Sequence, residues 1–380
     1  MTSEERIKKA FQHQEPGRVP IFEQEIASNV ASGILGRYAY TGCGPCWRDV
    51  SEHLYRGERD FIVEKTAEDI VELYSLLGMD AVAVPAAPPK IDPISIKKLD
   101  EYTYRYENKE TGFWSIMKYT PEIMMFSEVD SIFREEGIPA IRKLVKMNEK
   151  SLSPDESKLD IADYVIKKLG QEKAITIISD NCCWIPLEEA WLEAMVLEPE
   201  LVEEYLEQQT EYVLEWIRLQ SEHGIDFILG GADIADNRGP IYSPKLFRRF
   251  ILPRLKRITD FAHKLGLPYV YRTDGNTWPI AQELFVESGV DGYGEIDAQA
   301  GMDIGEIKIR FPHLTLWGNV DSAKTLVSGS REEIIAEARR CIDKGAPGGG
   351  YIFGSSNTIH PGVPVENFLL MIETAKKYGI

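Results

Sequence analysis

The feature that most constrains this chain is a repeated unit. A short run of apolar, largely β-branched and aromatic residues is followed by a polar loop and then by an amphipathic helical stretch. Eight runs fit the strand part: Arg18–Phe22, Asp80–Val84, Ala174–Ser179, Phe227–Gly231, Tyr269–Thr273, Asp291–Glu295, Leu314–Val320 and Tyr351–Ser355. Most are apolar at consecutive positions, as expected of parallel strands covered on both faces. The helices between them carry start and stop signals. Thr66 with Asp69 predicts one start and Gly78 its stop. Pro199 predicts the start of a long helix reaching His223. Ser330 with Glu333 forms a capping box, with Gly345 at the stop, and Pro364 opens a last helix ending near Gly379. Eight strand-then-helix units predict an α/β chain folded as one (β/α)8 TIM barrel domain over residues 1–380. An open doubly wound sheet would want a glycine-rich turn after its first strand, and Phe22-Glu23-Gln24-Glu25 is not one. One stretch breaks the rhythm. Residues 92–125 alternate aromatic and polar side chains (Tyr102, Tyr104, Tyr106, then Phe113 and Trp114) around a Glu110-Thr111-Gly112 turn. This predicts a β-hairpin inserted after the second strand, as a lid or an interface.

Composition narrows the function classes. With 43 Lys and Arg against 61 Asp and Glu, the chain carries a net charge of −18. Such a surface repels phosphate backbones and anionic lipid heads, so neither nucleic acid nor membrane is an expected partner. No apolar run reaches the roughly eighteen residues a spanning helix needs. The start, Met-Thr-Ser-Glu-Glu-Arg, reads as a polar helix without a signal-peptide core. Five cysteines, an odd number, argue against a disulfide framework and for a reducing cytoplasm.

In a (β/α)8 barrel the chemistry sits at the C-terminal ends of the strands. Read end by end, those positions hold Glu23 and Glu25; Ser179-Asp180-Asn181; Asp233, Asp236 and Arg238; Arg272 and Asp274; Glu295; Asn319 and Asp321; and Asn357. An acidic pocket is therefore expected, with Asp233, Asp236, Asp274, Glu295 and Asp321 converging and Arg238 and Arg272 as counter-charges. Crowded carboxylates raise one another's pKa, so one of them could stay protonated near neutral pH and act as an acid.

Several motifs then become familiar. Ser243-Pro244-x-x-Phe247-x-x-Phe250-x-Leu252-Pro253, Asp274-Gly275-Asn276, Gly318-Asn319-Val320-Asp321 and Pro361-x-x-Pro364-x-Glu366-Asn367 resemble the uroporphyrinogen decarboxylase superfamily. That superfamily holds porphyrinogen decarboxylases and corrinoid-dependent methyltransferases, all of (β/α)8 design. The match is good from about Leu214 to Ile380 and looser upstream. The decarboxylases carry an arginine-rich N-terminal motif that grips substrate carboxylates. Here that region reads Phe22-Glu23-Gln24-Glu25-Ile26-Ala27-Ser28, which would repel an octacarboxylate. The thiol-methylating branch resembles a zinc enzyme with His, Cys and Cys where this chain has Arg272, Asp274 and Asn357, so the zinc ligands are missing, although pocket oxygens leave a metal open.

The resemblance then implies the branch that demethylates methyl ethers or related methyl donors, with a methyl donor other than an ether as the alternative. A methyl group of a methoxylated aromatic would pass to the cobalt(I) of a corrinoid (cobalamin) on a separate corrinoid-binding protein, since no carrier motif Asp-x-His-x-x-Gly is found here. Assembly as a homodimer is left open. Under this reading Asp233, Asp236, Asp274 and Glu295 are the catalytic candidates, one of them protonating the departing phenolate. Asn181, Arg238, Arg272, Asn319, Asp321, Asn357, His360 and Glu25 are the substrate-binding candidates, an arginine suiting an aromatic carboxylate. Met124, Met125, Trp184 and Tyr242 are candidate apolar walls. Cys43-Gly44-Pro45-Cys46 is a C-x-x-C without further ligands and is read as structural.

Overall fold

The computed structural model describes residues 1–148, 153–179 and 181–379. Asp180, one of the strand-end residues named above, lies outside the described residues. Among the described residues there are thirteen strands. In chain order they are β1 (Ala81–Val84), β2 (Ile94–Lys98), β3 (Thr103–Asn108), β4 (Trp114–Thr120), β5 (Met125–Ser131), β6 (Ala174–Ile177), β7 (Ile228–Gly231), β8 (Ala235–Asp236), β9 (Gly239–Pro240), β10 (Tyr269–Arg272), β11 (Gly292–Gly294), β12 (Thr315–Val320) and β13 (Tyr351–Ser355).

The fold is α/β with parallel sheets. One sheet runs β13-β12-β11-β10-β7, and a second pairs β1 with β6. Backbone contacts link them. Ile21 bridges Phe353 in parallel. Asp80 N donates to Ile21 O at 2.9 Å, and Asp226 N donates to Ile175 O at 2.9 Å. All eight expected runs thus contribute parallel backbone pairing, the first through a single bridge rather than a ladder.

Alternation along the strands divides the core in two. Phe22, Ala81, Ala83, Ala174, Phe227, Leu229, Val270, Trp317 and Ile352, one or two residues from most of the parallel segments, pack against one another as an inner cluster. The intervening residues, such as Ile21, Val82, Ile175, Ile228, Tyr269, Tyr293, Leu316 and Phe353, pack outward into the core shared with the helices. Trp317 closes the inner cluster. It lies over Gly294, where an added Cβ would come within 2.1 Å of its ring, and its indole N–H donates to Phe22 O at 3.0 Å. Two residues further along the same faces stand Gln24, Thr176, Gly231, Arg272 and Asn319. The inner face therefore changes from apolar to polar within one strand step, at the C-terminal ends.

Helix signals are largely where the chain places them. Pro199–Glu222 and Arg331–Gly345 are helices, the latter with the full Ser330/Glu333 capping box. Pro364 caps Val365–Tyr378. Thr66 and Asp69 do not start a helix: that helix runs Arg59–Leu77, capped at its end by Gly78. Asp69 is buried inside it for a tertiary reason. Its carboxylate accepts from the Arg37 guanidinium at 2.5 Å and from Tyr40 N at 2.6 Å, tying down the loop that follows the helix Ser28–Leu35.

The excursion after β1 is larger than the expected hairpin. Strands β2-β3-β4-β5 form a four-stranded antiparallel meander with its own small core of Tyr104, Tyr119 and Phe126. Two further turns cost little where β3, β4 and β5 each contribute an aromatic to a shared face and β2 adds Ile96. The meander leans on the helix Pro45–Tyr55. Tyr104 Oη donates to Glu52 at 2.7 Å, and the Ser51 and Tyr106 hydroxyls lie 2.5 Å apart.

Candidate active site

The polar strand ends enclose two adjoining cavities that share Ile178 in their walls. The first, about 300 Å³, lies over the ends of β6, β7 and β10 and is lined by Asn181, Cys182, Trp184, Leu187, Asp233 and Arg272 among others. The second, about 210 Å³, lies over β1 and the first run. Its walls are mostly apolar and aromatic: Tyr40, Trp47, Ile62, Leu73, Tyr74, Ala83 and Ile161, with Gln24, Glu25, Thr41 and Thr66 as the polar members.

The first run sets the acid side. Glu23 is fully buried and accepts hydrogen bonds from Ser355 N (2.8 Å) and Ser355 Oγ (2.6 Å). Burial outweighs those bonds and raises its pKa to about 8. Gln24, on the inner face, donates its amide N–H to Glu295 Oε1. Glu25 is fixed through its backbone, where its carbonyl accepts from Ile359 N at 3.0 Å. Burial pushes its side chain up to about 7, with Arg272 pulling the other way. Glu295 is buried and takes a left-handed backbone (φ 60), a conformation that costs a non-glycine residue about 1 kcal/mol and clusters at functional sites. Its pKa is also raised to about 7, chiefly by burial. Arg272 Nη1 lies 3.6 Å from Glu295 Oε1, so one guanidinium serves a site holding several carboxyl groups.

Asp274 joins this group. Burial first, then the charges of Asp233 and Asp297, raise its pKa, and Asn357 Nδ2 donates to its Oδ2 at 3.2 Å. Two of the three positions at which the family resemblance would place zinc ligands, Asp274 and Asn357, meet here as a carboxylate–amide contact. Among the described residues no group of three or more His, Cys, Asp or Glu is placed to hold a metal ion. An arginine, an aspartate and an asparagine are not the donor set of a thiol-activating zinc, and no zinc step is derived.

The other sequence candidates divide. Asp233 is exposed and lines the first cavity. Asp236 caps the β8–β9 turn, accepting from Arg238 N (2.7 Å) and Gly239 N (3.1 Å), and both Asp236 and Arg238 are exposed. Asp321 closes the turn after β12 by accepting from Ala323 N (2.8 Å) and Lys324 N (3.0 Å). Asn181 is spent on the scaffold. It donates to Ile177 O (2.6 Å) and Leu229 O (3.1 Å) and accepts from Gln220 (2.6 Å). His360 braces a loop between Ser322 O (3.0 Å) and Gly362 N (3.1 Å). Asn319 is different: it is fully buried, and both side-chain amide atoms are without a partner. Tyr242 is buried with its hydroxyl on Ile185 O at 3.0 Å, whereas Met124, Met125 and Trp184 are exposed. Cys43 and Cys46 are buried at the start of the helix Pro45–Tyr55, and burial pushes both thiols up, away from thiolate.

Two features escape the sequence reading. Gln24 is a wall residue, signalled only by its sharing a face with Phe22. Tyr40, Trp47 and the residues around them form one side of the second cavity, and no periodic pattern marks them.

Comparison with known proteins follows the same outline. The family model described as uroporphyrinogen decarboxylase (URO-D) matches residues 188–378. Uroporphyrinogen decarboxylase of Anaeromyxobacter dehalogenans is 29% identical over 130 residues, 34% of this chain and 36% of that protein. The enzyme of Geobacter metallireducens is 23% identical over 247 residues, 63% of this chain and 65% of that one. The chain thus spans between about a third and two thirds of these curated relatives. A solved structure described as a methyltransferase from Methanosarcina mazei superposes with a TM-score of 0.68 at 18% identity, covering 100% of this chain and 99% of that one, a likeness of fold. No described helix is long and apolar enough to cross a membrane. With half its length under the family model and the strand-end architecture to match, the chain belongs to the uroporphyrinogen decarboxylase family.

Proposed function

We propose that this protein is a methyltransferase that removes the methyl group of a methoxylated aromatic, a phenyl methyl ether, and delivers it to the cobalt(I) of a corrinoid carried on a separate protein. The observation that carries this reading is Glu25: a carboxyl held to about 7 on the wall of a mostly apolar cavity of about 210 Å³. That volume, below the roughly 300 Å³ at which drug-sized pockets begin, suits a single substituted ring. The whole-chain likeness to a methyltransferase supports the same branch. We further read the linked parallel strands as one (β/α)8 barrel domain over residues 1–380 with the meander as an insertion, working in the cytoplasm.

The corrinoid, when docked, supplies the nucleophile that accepts the methyl group. The exposed indole of Trp184 and side chain of Leu187, on the rim of the larger cavity, offer an apolar landing for a flat macrocycle. The chain's own task is to orient the ether and to protonate the leaving oxygen. A phenol has a pKa of about 10. A carboxylic acid near 7 keeps its proton in about half of the molecules at neutral pH and gives it up downhill as the C–O bond breaks, an effect of about 10²–10⁴ in rate. Glu25 is the assigned donor. Glu295, which accepts from Gln24 and pairs with Arg272, stands behind it as the second acid. Asp274 and Asp233 complete the acidic group, with Asn357 holding Asp274 in place.

Decarboxylation of a tetrapyrrole carboxylate, the activity named for the curated relatives, is opposed by the same wall: Glu25, Asp233, Asp274 and Glu295 share these strand ends with one arginine, Arg272, and an octacarboxylate needs the reverse. The test is anaerobic incubation of the purified protein with cobalt(I) cobalamin and a panel of methoxylated aromatics, followed by absorbance. Methyl-cobalt formation is expected, and Glu25→Gln should lower its rate about 10²–10⁴-fold. Full activity in that variant would remove Glu25 from the chemistry.

A further inference from the structure

We propose that the smaller cavity selects an uncharged ring bearing a hydroxyl group beside its methoxy group, and that it rejects ring carboxylates. This deepens the methyltransferase reading and rests on it for the identity of the methoxy group. Two independent observations lead here.

The first is charge. The sequence offers Arg238 and Arg272 as partners for an aromatic carboxylate. Arg238 is exposed beyond the β8–β9 turn and lines neither cavity. Arg272 Nη1 is 3.6 Å from Glu295 Oε1, and its charge also reaches Glu25. Among the described residues lining the smaller cavity none is Lys, Arg or His, while Glu25 is there. A carboxylate entering this space would lose its hydration without finding a cation on the lining, and would be repelled wherever Glu25 is ionised, in a site where water does little to screen the charge.

The second is an orphan acceptor. Gln24 lines the cavity with 4% of its surface exposed. Its amide N–H is committed to Glu295 Oε1, whereas its Oε1 is buried without any hydrogen-bond partner. A buried acceptor without a donor is costly, and a ligand that brings a donor recovers that cost. A phenolic hydroxyl is such a donor. A carboxylate or a second methoxy group is not. Glu25, adjacent in the chain and on the same wall, is then placed to serve the neighbouring ether oxygen.

The experiment is direct binding to the purified full-length protein by titration calorimetry, without corrinoid. The probes are 2-methoxyphenol, 1,2-dimethoxybenzene and 2-methoxybenzoate. The expected order is 2-methoxyphenol tightest, 1,2-dimethoxybenzene weaker by about tenfold or more for the unmet acceptor, and 2-methoxybenzoate weakest. Gln24→Leu should bring the first two together, and Glu25→Gln should improve the third. The ligand series on the unmodified protein decides the matter even if a variant fails to fold. Binding of 2-methoxybenzoate as tightly as 2-methoxyphenol, equal binding of the two neutral ligands, or no binding of any would overturn the proposal. The predicted order without methyl transfer to cobalt(I) would instead leave the binding site standing and remove the methyltransferase reading.

Discussion

Glu23 makes the most quantitative prediction available from this fold. Its carboxyl is fully enclosed, and burial moves its pKa from an ordinary 4.5 to about 8. The folded protein therefore keeps a proton that the unfolded chain releases. Between those two values the unfolded state binds fewer protons, so stability falls as pH rises. The slope is about 1.4 kcal/mol per pH unit for one proton, and the loss over the whole window is on the order of 5 kcal/mol. The contribution is fully present below about pH 4.5 and is gone once the pH has passed through about 8. Glu23→Gln removes the titration while keeping the shape. In acid the variant should be less stable by about 1 kcal/mol, because one of the two bonds to Ser355 is remade with poorer geometry. Near pH 8 it should be the more stable of the two, because the wild type then buries a charge. Urea unfolding of both proteins at half-unit steps from pH 5 to 8.5, followed by circular dichroism and tryptophan fluorescence, gives the difference curve, in which the other glutamates cancel. A difference that does not vary with pH would refute the reasoning and show that Glu23 is ionised in the folded state.

Other consequences follow from the same geometry. In the methyl-transfer assay the rate should fall as pH rises through about 7, where Glu25 loses its proton, and that limb should be missing from Glu25→Gln. Trp47→Ala, at a half-exposed position on the cavity wall, should raise KM about tenfold and leave kcat and the unfolding midpoint nearly unchanged. Gly42→Ala should unfold the cavity loop. Gly42 has φ 73, and a Cβ there would lie 1.7 Å from Ile26 O, so a loss of several kcal/mol in stability, about 3 or more, is expected by denaturation. Trp317→Ala, in the inner cluster, should cost about 3–5 kcal/mol by the same measurement.

The fold was legible because its signals are local. Each parallel strand is a run too short and too apolar to be anything else, and the residues immediately after it are polar for a reason the strand ends then supply. Asp274 and Asn357 could be named from such positions, 83 residues apart, and they meet at 3.2 Å. What was not legible is tertiary. Asp69 looks like a helix start in one dimension and is a buried anchor for Tyr40 and Arg37 in three. Asp236, Asp321 and His360 stand at strand ends but turn their side chains onto the backbone of their own or neighbouring loops. No property of the residue type separates them from Asp274. One side of the smaller cavity comes from a loop and a helix that precede β1, around Tyr40 and Trp47, where neither period 2 nor period 3.6 announces a site. The meander was undersized because its first and last strands, β2 and β5, carry few buried residues.

The central claim is a choice of chemistry within one family, and it is tested most directly by presenting both substrates to one preparation. The purified protein is given uroporphyrinogen in one cuvette, and 2-methoxyphenol with cobalt(I) cobalamin in another, at pH 6.5 without oxygen. Methylation of cobalt with release of the dihydroxybenzene, and an unchanged porphyrinogen, is the predicted result. Loss of carboxyl groups from the porphyrinogen, with no methyl transfer from the ether, would contradict it.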